Sequence, residues 1–340
     1  MKKTFLGLIT IFFISIGCTA KGINKMEFKH LFQSTCISRY QMDLPSDSYY
    51  TVARYKDSLV KVVISDPSLK KAKKIGFYDG IERKKDWANR IEKKRSERFN
   101  EPKYFNKLFS DDLSILSYFI RFHPGKPGDG YIFKTFGLKN FLNMAVEIDA
   151  KTVEFDYSDQ RYREKYAEHL ERYKQRANQM AYQPWPHNQL GICLNNQLLL
   201  NTEKALDDEY FQITYTNGKE TKFTFEFIAF PKQHWQSLDK KMGYSAGLVS
   251  LFASEHLTVG GRAGRLFVSP GRYDDSILEY KWVASDAKAG STRLPYMRIS
   301  GSVNVADFPE LVAVGITNED LLVILLRSMR VRENGMLGTQ

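Results

Sequence analysis

The stretch that decides the fold of the first half of this chain reads Cys36-Ile37-Ser38-Arg39-Tyr40-Gln41-Met42-Asp43-Leu44-Pro45. The even positions are mostly apolar, while Arg39, Gln41 and Asp43 are polar. Alternation with a period of two is typical of a strand that turns one face towards a core. Proline cannot donate a hydrogen bond to a neighbouring strand, so Pro45 is expected to end this one.

A related phrase opens the second half of the chain. It reads Gly191-Ile192-Cys193-Leu194, continues through Asn195-Asn196-Gln197, and ends in Leu198-Leu199-Leu200. The chain has 340 residues, more than a single domain usually contains. We therefore predict two domains, residues 25–183 and 187–335, that each begin with a cysteine-bearing strand. Between them, Gln183-Pro184-Trp185-Pro186 cannot continue a helix.

The first 20 residues are typical of a removable export leader. Met1-Lys2-Lys3 is a short basic region, and residues 5–17 form an uncharged, largely apolar run. That run is shorter than the roughly 20 residues that cross a bilayer, which predicts a signal peptide. Gly17-Cys18 offers a lipoprotein cleavage site, at which Cys18 would become the acylated first residue and anchor the protein to a membrane. Cleavage after Ala20 is the alternative.

Two cysteines remain in the mature chain if Cys18 carries lipid. Cys36 and Cys193 then form an even pair in an oxidising compartment, which favours a disulfide between the two predicted strands. Two buried free thiols are the alternative, because cysteine also packs as a small hydrophobe. Two cysteines and six scattered histidines share no ligand spacing, so we predict no metal and no cofactor.

The composition predicts a folded protein with a basic surface. Hydrophobic residues make up 43% of the chain and aromatic residues 14%, which is ample for packed cores. The chain has 50 Lys and Arg against 39 Asp and Glu, a formal charge of +11. A basic exported protein can meet anionic lipid headgroups, cell-wall polymers or an acidic protein.

Strand patterns outnumber helical ones and do not alternate regularly with them, which predicts an α+β fold with antiparallel-rich sheets and a few covering helices. Residues 144–148 and 153–157 are predicted to pair as a hairpin. Residues 210–215 and 223–227 flank a second turn. A three-residue loop there would pair Phe211 with Phe223 and keep the aromatic side chains on one face.

Two helices are predicted from their patterns. After Asp159, an apolar stripe recurs every three or four residues and includes Tyr166, Leu170, Tyr173 and Ala177. Near the end of the chain, Thr317-Asn318-Glu319-Asp320 is expected to cap a nearly all-apolar helix at 321–329. A helix that is apolar around most of its circumference should be buried.

A G-x-S-x-G sequence, Gly243-Tyr244-Ser245-Ala246-Gly247, raises the question of serine hydrolysis. A nucleophile elbow needs a buried strand before the serine, but residues 237–242 are mostly polar. The only histidine after Ser245 is His256, and the adjacent Glu255 points away from it in a strand or a helix. We predict a glycine-flanked loop and no catalytic residues; hydrolysis at Ser245 is the alternative.

Two further motifs are given structural interpretations. Gly260-Gly261-Arg262-Ala263-Gly264 lacks the helix and the Lys-Ser/Thr ending of a phosphate-binding loop, so we predict a tight turn between strands. Residues 82–98 carry eight basic and four acidic side chains, with Trp87 among them. Oppositely charged residues at helical spacings favour a solvated, salt-bridged helix face, and export argues against a nucleic-acid partner. Docking to an acidic partner is the alternative.

The order and spacing of several short motifs resemble the immunity lipoproteins of type VI secretion phospholipase effectors, in the group that neutralises the fourth lipase-effector class. The motifs are Thr35 to Pro45, Gly191-Ile192-Cys193, Tyr244-Ser245-Ala246-Gly247, Thr258 to Gly264, Tyr280-Lys281-Trp282, Pro295 to Ser300, and Leu321 to Arg332. They span most of the mature chain. The family commonly places an acidic residue after the glycine turn, where this chain has Arg265-Leu266-Phe267. That departure bears on which effector is recognised.

The resemblance implies a protein without catalytic activity, whose two α/β-type domains form a clamp. It would bind a secreted phospholipase effector in the periplasm and hinder lid opening and substrate access. The contact residues do not follow from the resemblance. The enrichment of aromatic residues and Arg at binding hot spots directs attention to the cleft between the domains and to the loops at 123–130 and 269–275. An envelope-binding lipoprotein that uses its basic face is the alternative function.

Overall fold

The computed structural model of the chain describes residues 29–65, 87–89, 91–93, 103–108, 110–122, 130–141, 144–156, 161–202, 208–229 and 254–335. Most of these residues lie in antiparallel strands, and few lie in helices. The fold class is α+β, as the strand-rich pattern predicts. None of the helices in this part of the chain combines the length and hydrophobicity that a bilayer crossing requires.

The described strands are β1 Phe32–Ile37, β2 Tyr40–Pro45, β3 Tyr49–Lys56, β4 Val60–Ser65, β5 Lys103–Leu108, β6 Leu113–Phe122, β7 Gly130–Phe141, β8 Met144–Ala150, β9 Val153–Asp156, β10 Met180–Tyr182, β11 Ile192–Cys193, β12 Leu198–Leu200, β13 Glu209–Thr216, β14 Lys222–Ala229, β15 Ser254–Val259, β16 Arg262–Pro270, β17 Leu278–Ala284, β18 Tyr296–Val303 and β19 Arg330–Val331. The α-helices are α1 Tyr162–Asn178, α2 Pro309–Ala313 and α3 Asn318–Ser328. Short 3-10 turns lie at Lys29–Leu31 and Val305–Asp307, and residues 87–89 and 91–93 are helical.

Thirteen strands form one antiparallel sheet that draws on both halves of the sequence. Its order is β15-β16-β17-β18-β14-β13-β3-β4-β8-β7-β6-β5, and β9 also pairs with β7. The halves meet where β13 pairs with β3, which sets Phe211 opposite Tyr55 and Ile213 opposite Ala53. These four side chains are buried in the main core. The division into domains at 25–183 and 187–335 stays a prediction, and one sheet runs across it.

The stretch at 36–45 is a hairpin rather than one strand. β1 ends at Ile37, which pairs with Tyr40 at the start of β2 across a two-residue turn. Ser38 has a φ of 56°, a left-handed backbone conformation that suits a chain reversal. The period-two pattern therefore holds only within β2, where alternate side chains are fully buried and the strand ends at Pro45.

The N-terminal hairpin packs against the C-terminal end of the chain. β19 pairs with β2, so the first and last described strands belong to one small sheet. The backbone N–H of Asp43 donates to the Ser328 hydroxyl at 3.0 Å, between residues 285 positions apart. The backbone N–H of Arg332 donates to the carbonyl of Arg39 at 3.0 Å. A strand near the start of the described residues is therefore completed by residues near their end.

Residues 144–156 do not form the predicted hairpin. β8 pairs with the C-terminal part of β7, where Gly137 lies opposite Ile148, and β9 pairs with the N-terminal part of the same strand. β7 is 12 residues long, which gives room for two successive strands along its edge. The backbone N–H of Lys151 donates to the carbonyl of Leu59 at 2.8 Å and holds the short connection between β8 and β9.

The hairpin of β13 and β14 has a different register from the predicted one. Phe211 lies opposite Phe227, and Tyr215 lies opposite Phe223. The loop is longer than the predicted one. The backbone N–H of Asn217 closes it by donating to the carbonyl of Thr221 at 3.3 Å. A shift of an even number of residues keeps every side chain on its face. The aromatic side chains on the core face are therefore still buried together, and they are Phe211, Tyr215, Phe223, Phe225 and Phe227.

Both predicted helices are present. α1 buries Tyr166, Leu170, Tyr173 and Ala177, the stripe that the sequence pattern indicates. Asp159 lies outside the described residues. α3 begins after Thr317 with a capping box formed by Thr317 and Asp320. Its buried side chains are Leu321, Leu322, Leu325, Leu326 and Ser328.

Candidate partner-binding site

Several residues singled out from the sequence lie outside the described residues. They are Cys18, Ser245 with its flanking glycines, and residues 123–129 of one predicted contact loop. Of the basic segment at 82–98, only residues 87–89 and 91–93 are described, and they are helical. Trp87 and Ile91 are fully buried there and pack on Leu116 and Leu138. The lipidated cysteine, the predicted loop at Ser245 and the solvated basic face stay predictions.

Glu255 and His256 occupy consecutive positions in β15, and both are exposed. Consecutive residues of a strand point to opposite faces of the sheet, so Glu255 cannot orient the His256 ring. His256 lies opposite Arg265 of β16. Arg265 is exposed, so its charge lies at the surface.

The glycine-rich motif is a tight turn, as predicted. Gly260 and Gly261 have φ values of 59° and 77° and join β15 to β16, with Val259 opposite Arg262. Positive φ at both central residues is the geometry of a two-residue hairpin turn that matches the twist of the strands. A side chain on Gly260 would also contact the ring of Tyr40, at 3.2 Å from its Cβ. The motif therefore has a structural role.

Cys36 and Cys193 form a disulfide, with their Cα atoms 6.0 Å apart. Both are fully buried. The backbone N–H of Ser38 donates to the carbonyl of Cys193 at 3.1 Å, and that of Cys193 donates back to Ser38 at 2.9 Å. The bond therefore ties the N-terminal hairpin to the small sheet of β10, β12 and β11.

His187 lies beside the disulfide, with Nε2 3.8 Å from Sγ of Cys193. Burial lowers the pKa of His187, and the nearby Arg332 guanidinium lowers it further. Ligand atoms of Cys36, His187 and Cys193 all lie within 4.8 Å of one another. The sequence gives no sign of this cluster, because its members share no ligand spacing. With both sulfurs bonded to each other, the cluster offers no thiolate to a metal ion.

Arg39 is fully buried, although the strand pattern predicts a polar face for it. It lies in the turn between β1 and β2, where alternation does not apply. Its Nη2 donates to Oε2 of Glu209 at 2.5 Å, and neither side chain is exposed to solvent. The guanidinium carbon lies 5.7 Å from the centroid of the Phe227 ring. Burial raises the pKa of Glu209, and the positive charge of Arg39 opposes that shift.

A second buried acid lies next to this pair. Asp57 follows β3 directly, and it accepts hydrogen bonds from the backbone N–H groups of Leu59 at 2.7 Å and Val60 at 2.9 Å. The Tyr55 hydroxyl donates to its other oxygen at 3.0 Å. Nε of Arg176, on α1, lies 3.5 Å from that oxygen. Two cations and two anions thus connect the N-terminal hairpin, both halves of the sheet and α1.

Arg332 fixes the segment that leads into β11. Its guanidinium donates to the carbonyl of Gln189 at 2.7 Å and to that of Gly191 at 2.5 Å. The side chain is 2% exposed. The sequence around Arg39 and Arg332 gave no indication that these two side chains are buried. Together with the disulfide, these contacts link parts of the chain that are distant in sequence, and the surface loops extend from this linked core.

The predicted contact loop at 269–275 is exposed and locally well fixed. The backbone N–H of Gly271 donates to the carbonyl of Ile277 at 2.8 Å, which closes the loop. Oδ1 of Asp274 accepts from the backbone N–H of Ser276 at 2.8 Å, and hydrogen bonds from Ser276 lower the pKa of Asp274. Tyr273, at the tip, is 95% exposed. An aromatic residue presented on a fixed loop suits recognition of another protein.

The fold resembles that of immunity proteins of the type VI secretion system. One solved structure is the apo immunity protein TplEi from Pseudomonas aeruginosa, at a TM-score of 0.56 and 14% identity, covering 89% of this chain and 97% of that one. A chain of the Tle4–Tli4 complex matches at a TM-score of 0.57 and 14% identity, over 90% and 99% of the two chains. TplEi complexed with "L" peptide matches at a TM-score of 0.52 and 15% identity, over 90% and 99%. No protein-family model and no curated protein sequence matches the chain.

Proposed function

We propose that this chain is an immunity protein that binds and blocks a type VI secreted phospholipase effector in the periplasm. The observation that carries the proposal is the shared fold, which extends over about nine-tenths of the chain and nearly all of each matched immunity-protein structure. The ordered sequence motifs that resemble the same family support it independently. In this role the protein binds the effector and hinders the opening of the effector's lid and the access of its substrate. The protein itself catalyses no reaction.

The architecture suits such a role. The charge cluster around Arg39, the disulfide and the Arg332 contacts hold the chain ends and the long sheet together. A protein that blocks an enzyme by binding benefits from a surface that is already in its bound shape, because less entropy is lost on association. The predicted domains at 25–183 and 187–335 would provide the two arms of the clamp.

The proposal predicts a lipase gene beside the gene for this chain, and it is tested with the mature protein and that lipase. We expect a one-to-one complex, measured by calorimetry and size-exclusion chromatography, and loss of lipase activity at equimolar inhibitor. The isolated chain should hydrolyse no ester substrate. Absence of both binding and inhibition would overturn the proposal. Covalent labelling by a fluorophosphonate that disappears in Ser245→Ala would support the hydrolase alternative.

Attachment to a membrane is the second part of the proposal. Acylation of Cys18 would place the protein in the compartment where a periplasmic effector acts. We expect the wild-type protein to incorporate labelled palmitate and to fractionate with membranes. The Cys18→Ala variant should lose the label and be released by osmotic shock. Release of the unlabelled wild-type protein into the soluble fraction would support cleavage after Ala20.

A further inference from the structure

Residues 271–279 and 309–320 are two surface segments that meet at Ser276 and Asn318. Nδ2 of Asn318, the first residue of α3, donates to the carbonyl of Ser276 at 2.7 Å. Oδ1 of Asn318 accepts from the backbone N–H of Val305 at 2.6 Å. One amide side chain thus joins the loop before β17 to the α2–α3 region. We call the exposed surface of these two segments the acid-rimmed patch.

Exposed apolar side chains are concentrated in the acid-rimmed patch. Tyr273 is 95% exposed, Val314 is 54% exposed and Val312 is 48% exposed. Among the residues whose side chains the structure describes, they are the three most exposed large hydrophobic side chains. Isolated surface valines need no explanation, but an almost fully exposed tyrosine on a fixed loop suits an interaction site.

The charge of the patch is opposite to that of the chain. Its two segments contain six acidic residues, Asp274, Asp275, Glu279, Glu310, Glu319 and Asp320, against one basic residue, Arg272. All but Asp320 among the acidic residues are exposed. The whole chain carries a formal charge of +11. An acidic surface on an otherwise basic protein can orient a basic partner. The acidic surface attracts that partner, and the rest of the protein repels it.

The patch is also held in shape by hydrogen bonds. The Asp274–Ser276 turn and the Gly271–Ile277 closure fix the Tyr273 loop. On the other segment, Gly315 has a φ of 77° and its N–H donates to the carbonyl of Val312 at 2.9 Å, which ends α2. A fixed backbone lowers the entropy lost on binding. Apolar anchors, an acidic rim and a fixed backbone therefore occur together on this surface.

We propose that the acid-rimmed patch is a contact surface for the effector, and that the effector meets it with an apolar surface ringed by Lys and Arg. This inference rests on the proposed function and specifies the surface and the chemistry of the partner. Tyr273 would be the apolar anchor. The acidic rim would speed association and exclude partners whose contact surface is acidic.

The test compares variants of the mature protein in binding to the lipase encoded beside its gene. Tyr273→Ala removes the anchor, and the double variant Asp274→Lys with Asp275→Lys reverses the rim. Leu190→Ala is the matched apolar control, because Leu190 is 45% exposed elsewhere. Glu168→Lys with Glu171→Lys, on the exposed side of α1, is the matched charge control. Thermal unfolding confirms that each variant is folded.

We expect Tyr273→Ala to weaken binding by at least about tenfold, mainly through faster dissociation. The rim reversal should slow association about tenfold or more at low salt, and this difference should shrink as salt screens the charges. Both controls should bind within about twofold of wild type. If wild type binds and inhibits the lipase but the patch variants match the controls, the patch inference is wrong and the proposed function stands. If wild type does not bind, both are wrong.

Discussion

At the scale of single residues, substitutions of the buried charged side chains are expected to change the free energy of unfolding most. Arg39 and Glu209 are both removed from solvent, so each depends on the other for compensation. A buried ion pair adds little stability over a well-packed apolar pair, but removal of one partner leaves the other charge uncompensated. The stability of the fold is therefore sensitive to this pair, although the sequence pattern predicts Arg39 as a polar residue within a strand.

Replacing Arg39 by Met is expected to lower the free energy of unfolding by about 3–5 kcal/mol near neutral pH. The variant also loses the charge that opposes the rise in the pKa of Glu209. An acid whose folded-state pKa is raised stabilises the fold at low pH, and that contribution is lost as pH rises through the folded-state pKa. The difference between wild type and Arg39→Met should therefore be larger at about pH 8 than at about pH 5, measured by urea unfolding.

The matched control adds Glu209→Gln to Arg39→Met, which removes the titrating group. Its stability difference from wild type should depend less on pH than that of Arg39→Met. Equal destabilisation of Arg39→Met at both pH values would show that Glu209 does not titrate between them.

At the scale of elements, α1 is seated on the sheet by Tyr173. Its hydroxyl donates to the carbonyl of Ile148 at 2.5 Å. A Cβ on Gly137, in β7, would collide with that hydroxyl and would lie 2.9 Å from the same carbonyl. The absence of a side chain at Gly137 is therefore what allows the helix to approach β7 and β8 so closely.

The Gly137→Ala substitution is expected to destabilise the protein by about 1–3 kcal/mol, because α1 must shift away from the sheet. Tyr173→Phe alone should also destabilise, because it leaves the Ile148 carbonyl without this donor. The double variant should be more stable than the sum of the two effects predicts, since the phenylalanine ring no longer presents the colliding oxygen. Urea unfolding of the four proteins gives the coupling, and strict additivity would contradict this account.

The helix cap of α3 offers a second element-scale prediction. The backbone N–H of Asp320 donates to the Thr317 hydroxyl at 3.2 Å, and that of Thr317 donates to the Asp320 carboxylate at 3.1 Å. Thr317→Ala should lower the unfolding free energy by about 0.5–2 kcal/mol. Thr317→Ser retains the hydroxyl and should remain close to wild type. A loss of similar size in both variants would point to the threonine methyl group and away from the cap.

At the scale of the whole molecule, the strands nearest the first and last described residues pair with each other, and the two halves of the sequence pair in the main sheet. β19 completes the sheet begun by β1 and β2, and β13 extends the sheet begun by β3. The disulfide joins residues 157 positions apart. Because the disulfide is covalent and joins residues far apart in the sequence, it strongly restricts the unfolded chain.

The double substitution Cys36→Ala with Cys193→Ala is expected to lower the unfolding free energy by about 2–5 kcal/mol. Addition of a reducing agent to wild type should lower the urea midpoint in the same direction. The same reagent should leave the double variant unchanged, which is the control for nonspecific effects. A wild-type midpoint that does not respond to complete reduction would show that the cross-link contributes little to stability.

The predicted domains are tested by expressing residues 25–183 and 187–335 separately. The second fragment lacks β1, β2 and β3, which supply partners to β19 and β13. It also lacks the Arg39 that compensates Glu209. We therefore expect neither fragment to give a cooperative thermal transition alone, and we expect a mixture to regain part of the native circular dichroism. A cooperatively folded 187–335 fragment would support independent domains.

The sequence by itself determined the features that depend on local chemistry. The α+β class, the apolar stripe of α1, the Thr317 cap and the glycine turn at 260–261 all follow from periodicity or backbone preference within a few residues. A count of cysteines, in a chain predicted to be exported, favoured the disulfide and left two free thiols as the alternative. Strand registers were predicted less well, because a shift of two or four residues preserves every side chain's face and leaves no mark on the pattern.

Only the tertiary structure decided which distant residues meet. It placed Arg39 against Glu209, split the opening stretch into a hairpin, and joined the two halves through β3 and β13. It also joined the Tyr273 loop to the first residue of α3, through a hydrogen bond between Asn318 and Ser276. The physical reason is that long-range pairing depends on the summed fit of whole surfaces, whereas the pattern of a single segment constrains only its own face and its own turn.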